Sequence, residues 1–320
     1  MQYVGLQSQI WKNNINSCIL LLLFPSLLLT LLWGFFFTIH YIENDTNVSI
    51  DIGFINSQFI TAVPFVFISV SIWFLIAWLS HSTIIKRATL SKSLERKDNM
   101  RVYNLVENLC IAKGIKTPKI NVIEDNSLNA FASGISEKTF SVSLSRGIIN
   151  KLDDKELESV IAHELTHIIN RDVRLLIISI VFVGIFAFIT KMAFRSLRHI
   201  RLGGKSKKSG GIVIIILVIV LLGVIGYLFS LLFRFTLSRK REFLADAGAV
   251  EMTKNPTALV NALNKISKDP WIEAVQREDV AQMFIEHPTK KKKQSITTFF
   301  NNLFATHPTI EKRIEFLQQI

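Results

Sequence analysis

The sequence predicts a mostly α-helical integral membrane protein, in which helical transmembrane segments accompany a soluble α+β part with a small sheet. Two long apolar runs without any Asp, Glu, Lys or Arg open the chain, and two more lie between residues 175 and 233. Hydrophobic residues make up 49% of the 320 residues and the mean hydropathy is positive, which an ordinary soluble protein does not show. The remaining stretches carry the charge and have helical or alternating apolar patterns.

The first two apolar runs predict an N-terminal transmembrane hairpin over residues 1–85. Residues 13–42 and 52–85 each exceed the roughly 20 residues that a bilayer-spanning helix requires, and we expect the helices at about 16–39 and 59–82. A cleaved signal peptide is the alternative for the first run, but that run is too long and no small-residue cleavage site follows it. An acidic loop separates the helices and a Lys/Arg cluster follows the second, so the positive-inside rule places both ends of the hairpin in the cytoplasm.

Residues 86–174 predict the first part of a soluble domain. Apolar residues recur at helical spacing through 101–113, and Gly114 is placed to end that helix. Residues 118–124 form a short apolar run and residues 139–144 alternate between polar and apolar, which predicts two strands, the second half-buried and paired with the first.

Asn129, Ala130 and Phe131 lie between these two predicted strands. An exposed sheet edge here could bind an extended peptide as an added strand, which makes the three residues candidates for substrate binding. The alternating pattern is equally well explained by a plain structural hairpin.

The pentapeptide from His163 to His167 has the form His-Glu-x-x-His. Positions i and i+4 of a helix share one face, so both imidazoles can bind the same ion, and two His with a third protein ligand are typical of catalytic zinc. Glu164 is placed to take a proton from a water at that ion. Acidic residues at 153–156 favour the start of this helix. A surface helix with two solvated histidines is the structural alternative.

Residues 175–233 predict a second hydrophobic hairpin, with helices at about 174–193 and 211–233. The first apolar run is short and the loop between the runs is basic, which opposes a periplasmic position for that loop. A third zinc ligand beyond residue 233 must nevertheless lie on the same side as the two histidines, so the chain crosses an even number of times. We favour two crossings, with a re-entrant or surface hairpin as the alternative.

Residues 234–320 predict the second part of the soluble domain, and they contain a second pair of residues at i and i+4. Glu242 and Asp246 share one helical face. We assign Glu242 as the third zinc ligand and Asp246 as the acceptor of an Nδ1–H from a ligating histidine. Two solvated carboxylates paired with Arg239 or Lys240 are an equally good interpretation of the spacing alone.

The formal net charge is +12 at pH 7, and its distribution indicates a lipid bilayer rather than nucleic acid as the partner. Lys and Arg lie largely beside the apolar runs, and no stacking or phosphate-loop motif accompanies them. The two cysteines, Cys18 and Cys110, form no CxxC pair and predict no disulfide framework.

Four motifs resemble, in their order along the chain, the HtpX-type membrane metallopeptidases, which are gluzincins related to the CAAX prenyl proteases. The motifs occupy residues 129–132, 163–172, 238–246 and 306–314. The resemblance implies a zincin-like α+β metallopeptidase domain, one Zn²⁺ per chain, and Glu242 rather than Asp246 as the third ligand. It also implies a multi-pass protein of the bacterial inner membrane whose catalytic domain faces the cytoplasm.

The C-terminal motif adds two weaker candidates. By resemblance His307 stands near the zinc and could stabilise the oxyanion of the tetrahedral intermediate, and Arg313 could support the site electrostatically. A surface His before Pro explains His307 equally well. The Lys-rich stretch at 286–300 departs from the family pattern, and we read it as a solvated loop near the anionic membrane surface.

The sequence therefore predicts a membrane-bound zinc metalloendopeptidase. The resemblance further implies that it acts on unfolded or membrane-protein substrates, in proteolytic quality control of membrane proteins under stress. The alternatives are a prenyl-protein processing protease and a non-catalytic zinc-binding scaffold. An intact Glu164 opposes the scaffold, since a structural zinc site does not need a general base. Oligomeric state and natural substrate are not written in the sequence.

Overall fold

A computed structural model describes residues 6–43, 50–199, 215–228, 239–269 and 308–320. Within these ranges the chain is mostly helical and contains one small mixed sheet. This confirms the predicted fold class.

The chain divides into two compact units. The first, here called the sheet unit, consists of Met1–Ile15, Ser80–Ile177 and Arg234–Ile320. The second, here called the helical unit, consists of Asn16–Leu79 and Ile178–Phe233.

The helical unit takes its residues from four apolar helices. Their bounds in the described residues are α1 Leu6–Glu43, α2 Ile52–Thr89, α6 Asp172–His199 and α7 Ile215–Leu228. Three of them contain stretches long and apolar enough to cross a membrane: Asn13–Ile42, Ile52–Thr89 and Asp172–Ser196. The first three predicted transmembrane helices lie within or close to these stretches, whereas the fourth, at 211–233, extends outside the described residues.

The third candidate span, Asp172–Ser196, is longer than the uncharged run in the sequence. The helix begins at Asp172 and continues through Lys191 and Arg195, because charged residues at the ends of a span can reach the polar interface. Within the helical unit Phe24 of α1 stacks on Phe182 of α6, with ring centroids 4.0 Å apart.

The four strands of the sheet unit run in the order β1-β2-β4-β3. Their bounds are β1 Lys92–Ser93, β2 Lys119–Ile123, β3 Ala130–Ser133 and β4 Ser141–Ser145. The two predicted strands do pair, but β2 and β4 are parallel and do not form a hairpin. β3 lies between them in the chain and pairs with β4 in antiparallel orientation, which accounts for the difference. β4 is buried on both faces rather than half-buried.

Within the described residues, six helices lie entirely in the sheet unit. Their bounds are α3 Met100–Lys113, α4 Arg146–Lys151, α5 Asp154–Ile169, α8 Arg239–Thr253, α9 Pro256–Ile266 and α10 Ile310–Leu317. The predicted stop at Gly114 is present, and this residue adopts the left-handed conformation at φ 64° that glycine allows at little cost.

The core of the sheet unit lies between α5, α9 and one face of the sheet. Val142 and Leu144 from β4, Ile161 and Leu165 from α5, and Leu263 from α9 are each fully buried. Burial of side chains of this size stabilises the fold by roughly 1.5–3 kcal/mol each. The core therefore fixes α5 against the sheet, and α5 carries the His-Glu-x-x-His motif.

Candidate metal centre

α5 positions two histidines on one face. The helix begins with a capping box, in which the Asp153 side chain accepts from the Glu156 N–H and the Glu156 side chain accepts from the Asp153 N–H. One helical turn separates His163 and His167, whose ring planes are nearly perpendicular. The two Nε2 atoms lie 3.2 Å apart, close enough to face one ion.

α8 brings a carboxylate to the same point. Glu242 is buried, and its oxygens lie 3.7 Å from His163 Nε2 and 3.6 Å from His167 Nε2. The three potential ligand atoms all lie within 4.8 Å of one another. The structure thus brings together the three residues predicted to hold zinc, while their role as ligands stays a prediction.

Close contact between α8 and α5 permits this approach. Gly248 of α8 faces Thr166 of α5, and a Cβ at position 248 would lie 2.5 Å from Thr166 Cγ2. Such a distance is shorter than any real carbon–carbon contact, so glycine is required here for the packing of the two helices.

The Nδ1 side of His163 faces a buried ion pair between Asp246 and Arg313. Its Nδ1 lies 3.0 Å from Asp246 Oδ1, and Arg313 of α10 binds both Asp246 oxygens, at 2.6 and 2.9 Å. All three side chains are fully buried. The Arg313 guanidinium also lies 3.8 Å from Glu242 Oε2, so one cation compensates two carboxylates.

The electrostatics of this pair follow from burial and charge. Burial by itself would lower the pKa of His163, but the neighbouring carboxylates of Asp246 and Glu242 outweigh burial and raise the pKa to about 9. Burial would likewise raise the pKa of Asp246, but Arg313 and His163 hold it below the ordinary value. In the metal-free protein His163 therefore carries a proton at neutral pH.

His167 has an equivalent partner in Asp172. Its Nδ1 lies 3.0 Å from Asp172 Oδ2, and Asp172 is the first residue of α6. Arg241 lies on the other side of this carboxylate, with Nη1 4.0 Å from Oδ1. Each histidine of the pair thus faces one carboxylate through Nδ1.

These contacts determine the chemistry of the site. When each Nδ1–H donates to its carboxylate, the two Nε2 atoms present lone pairs toward each other and toward Glu242. Two lone pairs at 3.2 Å would repel. In the metal-free protein the proton on His163 lies between the two nitrogens, and a metal cation can take the place of that proton. Two ligands about 2.0–2.1 Å from a tetrahedral zinc lie about 3.3 Å apart. The donor set therefore fits a divalent cation such as zinc.

Glu164 lies beside the cluster and is buried. Burial raises the pKa of its carboxyl, which His163 and His167 oppose only in part. The backbone of Ala132 lies near this carboxyl and opposes the rise in its pKa, whereas the Oε1 atom of Glu164 has no hydrogen-bond partner within the described residues. A carboxylate in this environment is a stronger base than a solvated one.

The predicted substrate-binding residues lie in β3 and directly before it. Asn129, Ala130 and Phe131 are all fully buried, and the Asn129 side chain accepts a hydrogen bond from the Ala130 N–H. In the described part of the chain, β4 is the only strand that pairs with β3. The strand's other edge reaches Glu164 through Ala132.

Two further candidates from the sequence are Arg313 and His307, and the structure adds Asp172 and the Ala132 backbone, which the sequence analysis did not assign. Arg313 lies in the site, but it acts through Asp246 and is a positioning residue; His307 lies outside the described residues. Sequence reasoning assigned no role to Asp172, although its place five residues after His167 was a usable signal. Sequence reasoning also missed the Ala132 backbone, because every residue except proline has the same backbone N–H and its type therefore does not reveal such a donor.

Comparison with known proteins places these motifs in a wider group. The profile of peptidase family M48 matches residues 96–320. A protein named protease HtpX homolog from Bacteroides fragilis is 54% identical over 322 residues and covers all of both chains. A protease HtpX homolog from Listeria monocytogenes is 35% identical over 296 residues, which is 90% of this chain and 94% of that protein.

One solved structure is also similar. The crystal structure of S. mikatae Ste24p matches with a TM-score of 0.46 and 19% sequence identity. The match covers 96% of this chain and 66% of the length of that chain.

Proposed function

The chain belongs to peptidase family M48 and is a membrane-bound bacterial metalloprotease, and we propose that it is a zinc-dependent endopeptidase whose ligands are His163, His167 and Glu242. The observation that carries this proposal is the 3.2 Å separation of the two Nε2 atoms, each on a ring whose Nδ1 faces a carboxylate. Neutral imidazoles and one carboxylate suit zinc better than magnesium or calcium, which prefer oxygen ligands. We expect one zinc per chain.

Zinc at this point would polarise the scissile carbonyl and lower the pKa of a water. Glu164 then takes a proton from the attacking water and delivers it to the nitrogen of the leaving amine. Its burial suits both steps, because a buried carboxylate is a stronger base than a solvated one. Asp246 and Asp172 keep the imidazoles in the tautomer that presents Nε2 to the metal.

We further propose that substrate binds along the outer edge of β3. The Ala132 N–H reaches Glu164, so a peptide paired with this edge would pass next to the general base. Because all four residues of β3 are buried, an extended peptide reaches the edge only after a local rearrangement. Unfolded or membrane-protein segments can supply such extended chains, which suits a role in membrane-protein quality control under stress.

The arrangement in the membrane is part of the same proposal. In this proposal residues 86–174 and 234–320 form the catalytic domain, and the Lys/Arg cluster at and after the end of α2 supports a cytoplasmic position for it. The hairpins at 1–85 and 175–233 each cross the inner membrane twice. An even number of crossings keeps Glu242 on the side of the two histidines.

The test is cleavage of casein, an unfolded model substrate, by detergent-purified protein. Wild type and Glu164→Gln are compared with added zinc and with a chelator. We expect cleavage by the zinc-loaded wild type alone, while Glu164→Gln keeps its metal and its fold but loses at least about 10³-fold in rate.

The other outcomes are equally informative. Full activity of purified Glu164→Gln would remove that residue from the mechanism. Metal binding without cleavage of casein or of a membrane-protein substrate would favour the non-catalytic scaffold. Cleavage confined to a prenylated C-terminal peptide would favour prenyl-protein processing.

A further inference from the structure

Asn13 of α1 makes a contact with the motif region that the reaction described above does not use. Its side chain is 3% exposed. The carboxamide nitrogen donates to Asp172 Oδ1 at 2.7 Å and to the carbonyl of Asn170 at 2.8 Å. A carboxamide NH₂ has two hydrogens, so these two bonds use both of them.

The carboxylate that Asn13 binds is the one that faces His167. Asp172 accepts from Asn13 through Oδ1 and lies 3.0 Å from His167 Nδ1 through Oδ2. Arg241 contributes a longer contact, at 4.0 Å from Oδ1 and 3.4 Å from the Asp172 carbonyl oxygen. Among the described residues, Asn13 therefore makes the shortest hydrogen bond to the Asp172 side chain, shorter than the contact of His167.

A carboxylate can orient an imidazole only if its own position is fixed. Asp172 is the first residue of α6, and the bond from Asn13 restrains its side chain in addition to the contacts of His167 and Arg241. The bond to the Asn170 carbonyl also fastens the segment that joins α5 to α6. The two bonds of Asn13 thus fix both the carboxylate and the backbone that carries it.

We propose that Asn13 is a positioning residue of the metal centre, which holds Asp172 in the orientation that directs His167 Nε2 at the metal. The inference rests on the proposed function, because it requires His167 to be a ligand. An amide buried at the start of an apolar helix needs hydrogen-bond partners in any case. Asn13 differs from other buried amides because its partner, the carboxylate of Asp172, contacts His167 of the metal site.

The experiment measures zinc affinity by chelator competition in full-length, detergent-purified protein. Asn13→Ala removes the donor, and Asn13→Leu removes it while it keeps the side-chain volume and suits an apolar helix. Asn14→Ala is the matched control, since its carboxamide oxygen has no hydrogen-bond partner in the described part of the chain. We expect both Asn13 variants to bind zinc about 10-fold more weakly, the low end for groups that support metal ligands, and Asn14→Ala to match wild type.

Two further readouts separate positioning from mere anchoring of α1. The d–d absorption bands of the Co²⁺-substituted protein should shift in the Asn13 variants, because the geometry of His167 at the metal changes. In an Asp172→Ala background, Asn13→Ala should weaken zinc binding less than about 2-fold, since its effect passes through that carboxylate.

The outcomes distinguish this inference from the proposed function. If wild type fails to bind zinc, the proposed function fails and the inference falls with it. If wild type binds zinc but the Asn13 variants equal Asn14→Ala in affinity and Co²⁺ spectrum, the inference alone is overturned. An undiminished effect of Asn13→Ala in the Asp172→Ala background would also overturn it.

Discussion

Each imidazole of the metal site contacts a carboxylate through its Nδ1 atom, and each carboxylate accepts a hydrogen bond from a further donor. Arg313 binds Asp246, which contacts His163, and Asn13 binds Asp172, which contacts His167. The ring orientations therefore do not depend on the metal alone. This arrangement favours a site that is formed before the metal arrives, so binding loses little free energy to reorganisation.

At the residue scale, Glu242→Ala should abolish tight metal binding, because it removes the only carboxylate among the three proposed ligands. Elemental analysis of the purified protein after dialysis measures this directly, and we expect less than about a tenth of the wild-type zinc content. Glu251→Ala is the matched control, since it removes a carboxylate of the same helix that pairs with Lys113 at the surface. Retention of zinc by Glu242→Ala would assign the third ligand elsewhere.

A second residue-scale prediction concerns pH. Since the His163 pKa is raised to about 9 in the metal-free protein, zinc must displace a proton from this imidazole at neutral pH. The apparent affinity should therefore rise about tenfold per pH unit below about 9 and then level off. Calorimetric titration at pH 7 in buffers of different ionisation enthalpy should detect at least one proton released per zinc. Zinc uptake without proton release would show that His163 is already neutral.

At the scale of elements, the position of Glu242 depends on how closely α8 approaches α5. Gly248→Ala should push the helices apart, because the added methyl group would meet Thr166 Cγ2 at 2.5 Å and Oγ1 at 2.8 Å. We expect a loss of about 1–3 kcal/mol in stability and weaker zinc binding. Thermal unfolding and chelator competition measure the two effects.

The same contact offers a rescue experiment. Thr166→Ala removes both atoms that clash, so the double variant Gly248→Ala/Thr166→Ala should recover much of the lost zinc affinity. If Thr166→Ala does not rescue, the effect of Gly248→Ala lies in α8 itself and not in its distance from α5.

The residue spacing of an α-helix explains which parts of the site can be predicted from the sequence. The spacing of His163 with His167, and of Glu242 with Asp246, fixes which side chains share a face before any fold is known. Nothing local joins the two pairs, and the resemblance to a family was needed for that. Asn13 and Asp172 are 159 residues apart in the chain, and no periodic pattern encodes a contact of that kind.

The sheet shows the same limit. Residue types located β2 and β4, but their parallel pairing depends on β3, whose Ala130–Ser133 segment is too short and too lacking in β-branched residues to predict as a strand. Because β3 pairs with β4 in antiparallel orientation, β4 runs parallel to β2 and the two do not form a hairpin.

At the scale of the whole molecule, the proposed topology predicts which residues are accessible from outside the cell. In a background without Cys18 and Cys110, Ser49→Cys in the acidic loop should react with a membrane-impermeant maleimide added to intact spheroplasts. Lys138→Cys in the catalytic domain should react only after detergent is added. Labelling of Lys138→Cys in intact spheroplasts would show that the catalytic domain faces outward, opposite to the proposed orientation.

The same assay decides between the two arrangements of the second hairpin. Lys205→Cys lies in the basic loop between the third and fourth apolar runs. If both runs cross the membrane it should be labelled from outside, whereas a re-entrant or surface hairpin would protect it until the membrane is opened.

The junction between α5 and α6 constrains how this protein can diverge. Only Asn170 and Arg171 separate the two helices, and Arg171 adopts a left-handed conformation at φ 61°, which is uncommon for a residue with a side chain. One residue more or fewer would turn Asp172 by about 100° around the helix, away from His167 and Asn13. Insertions and deletions at 170–171 should therefore be eliminated among the descendants of this gene, and among substitutions of Arg171 the change Arg171→Gly should be one of the mildest.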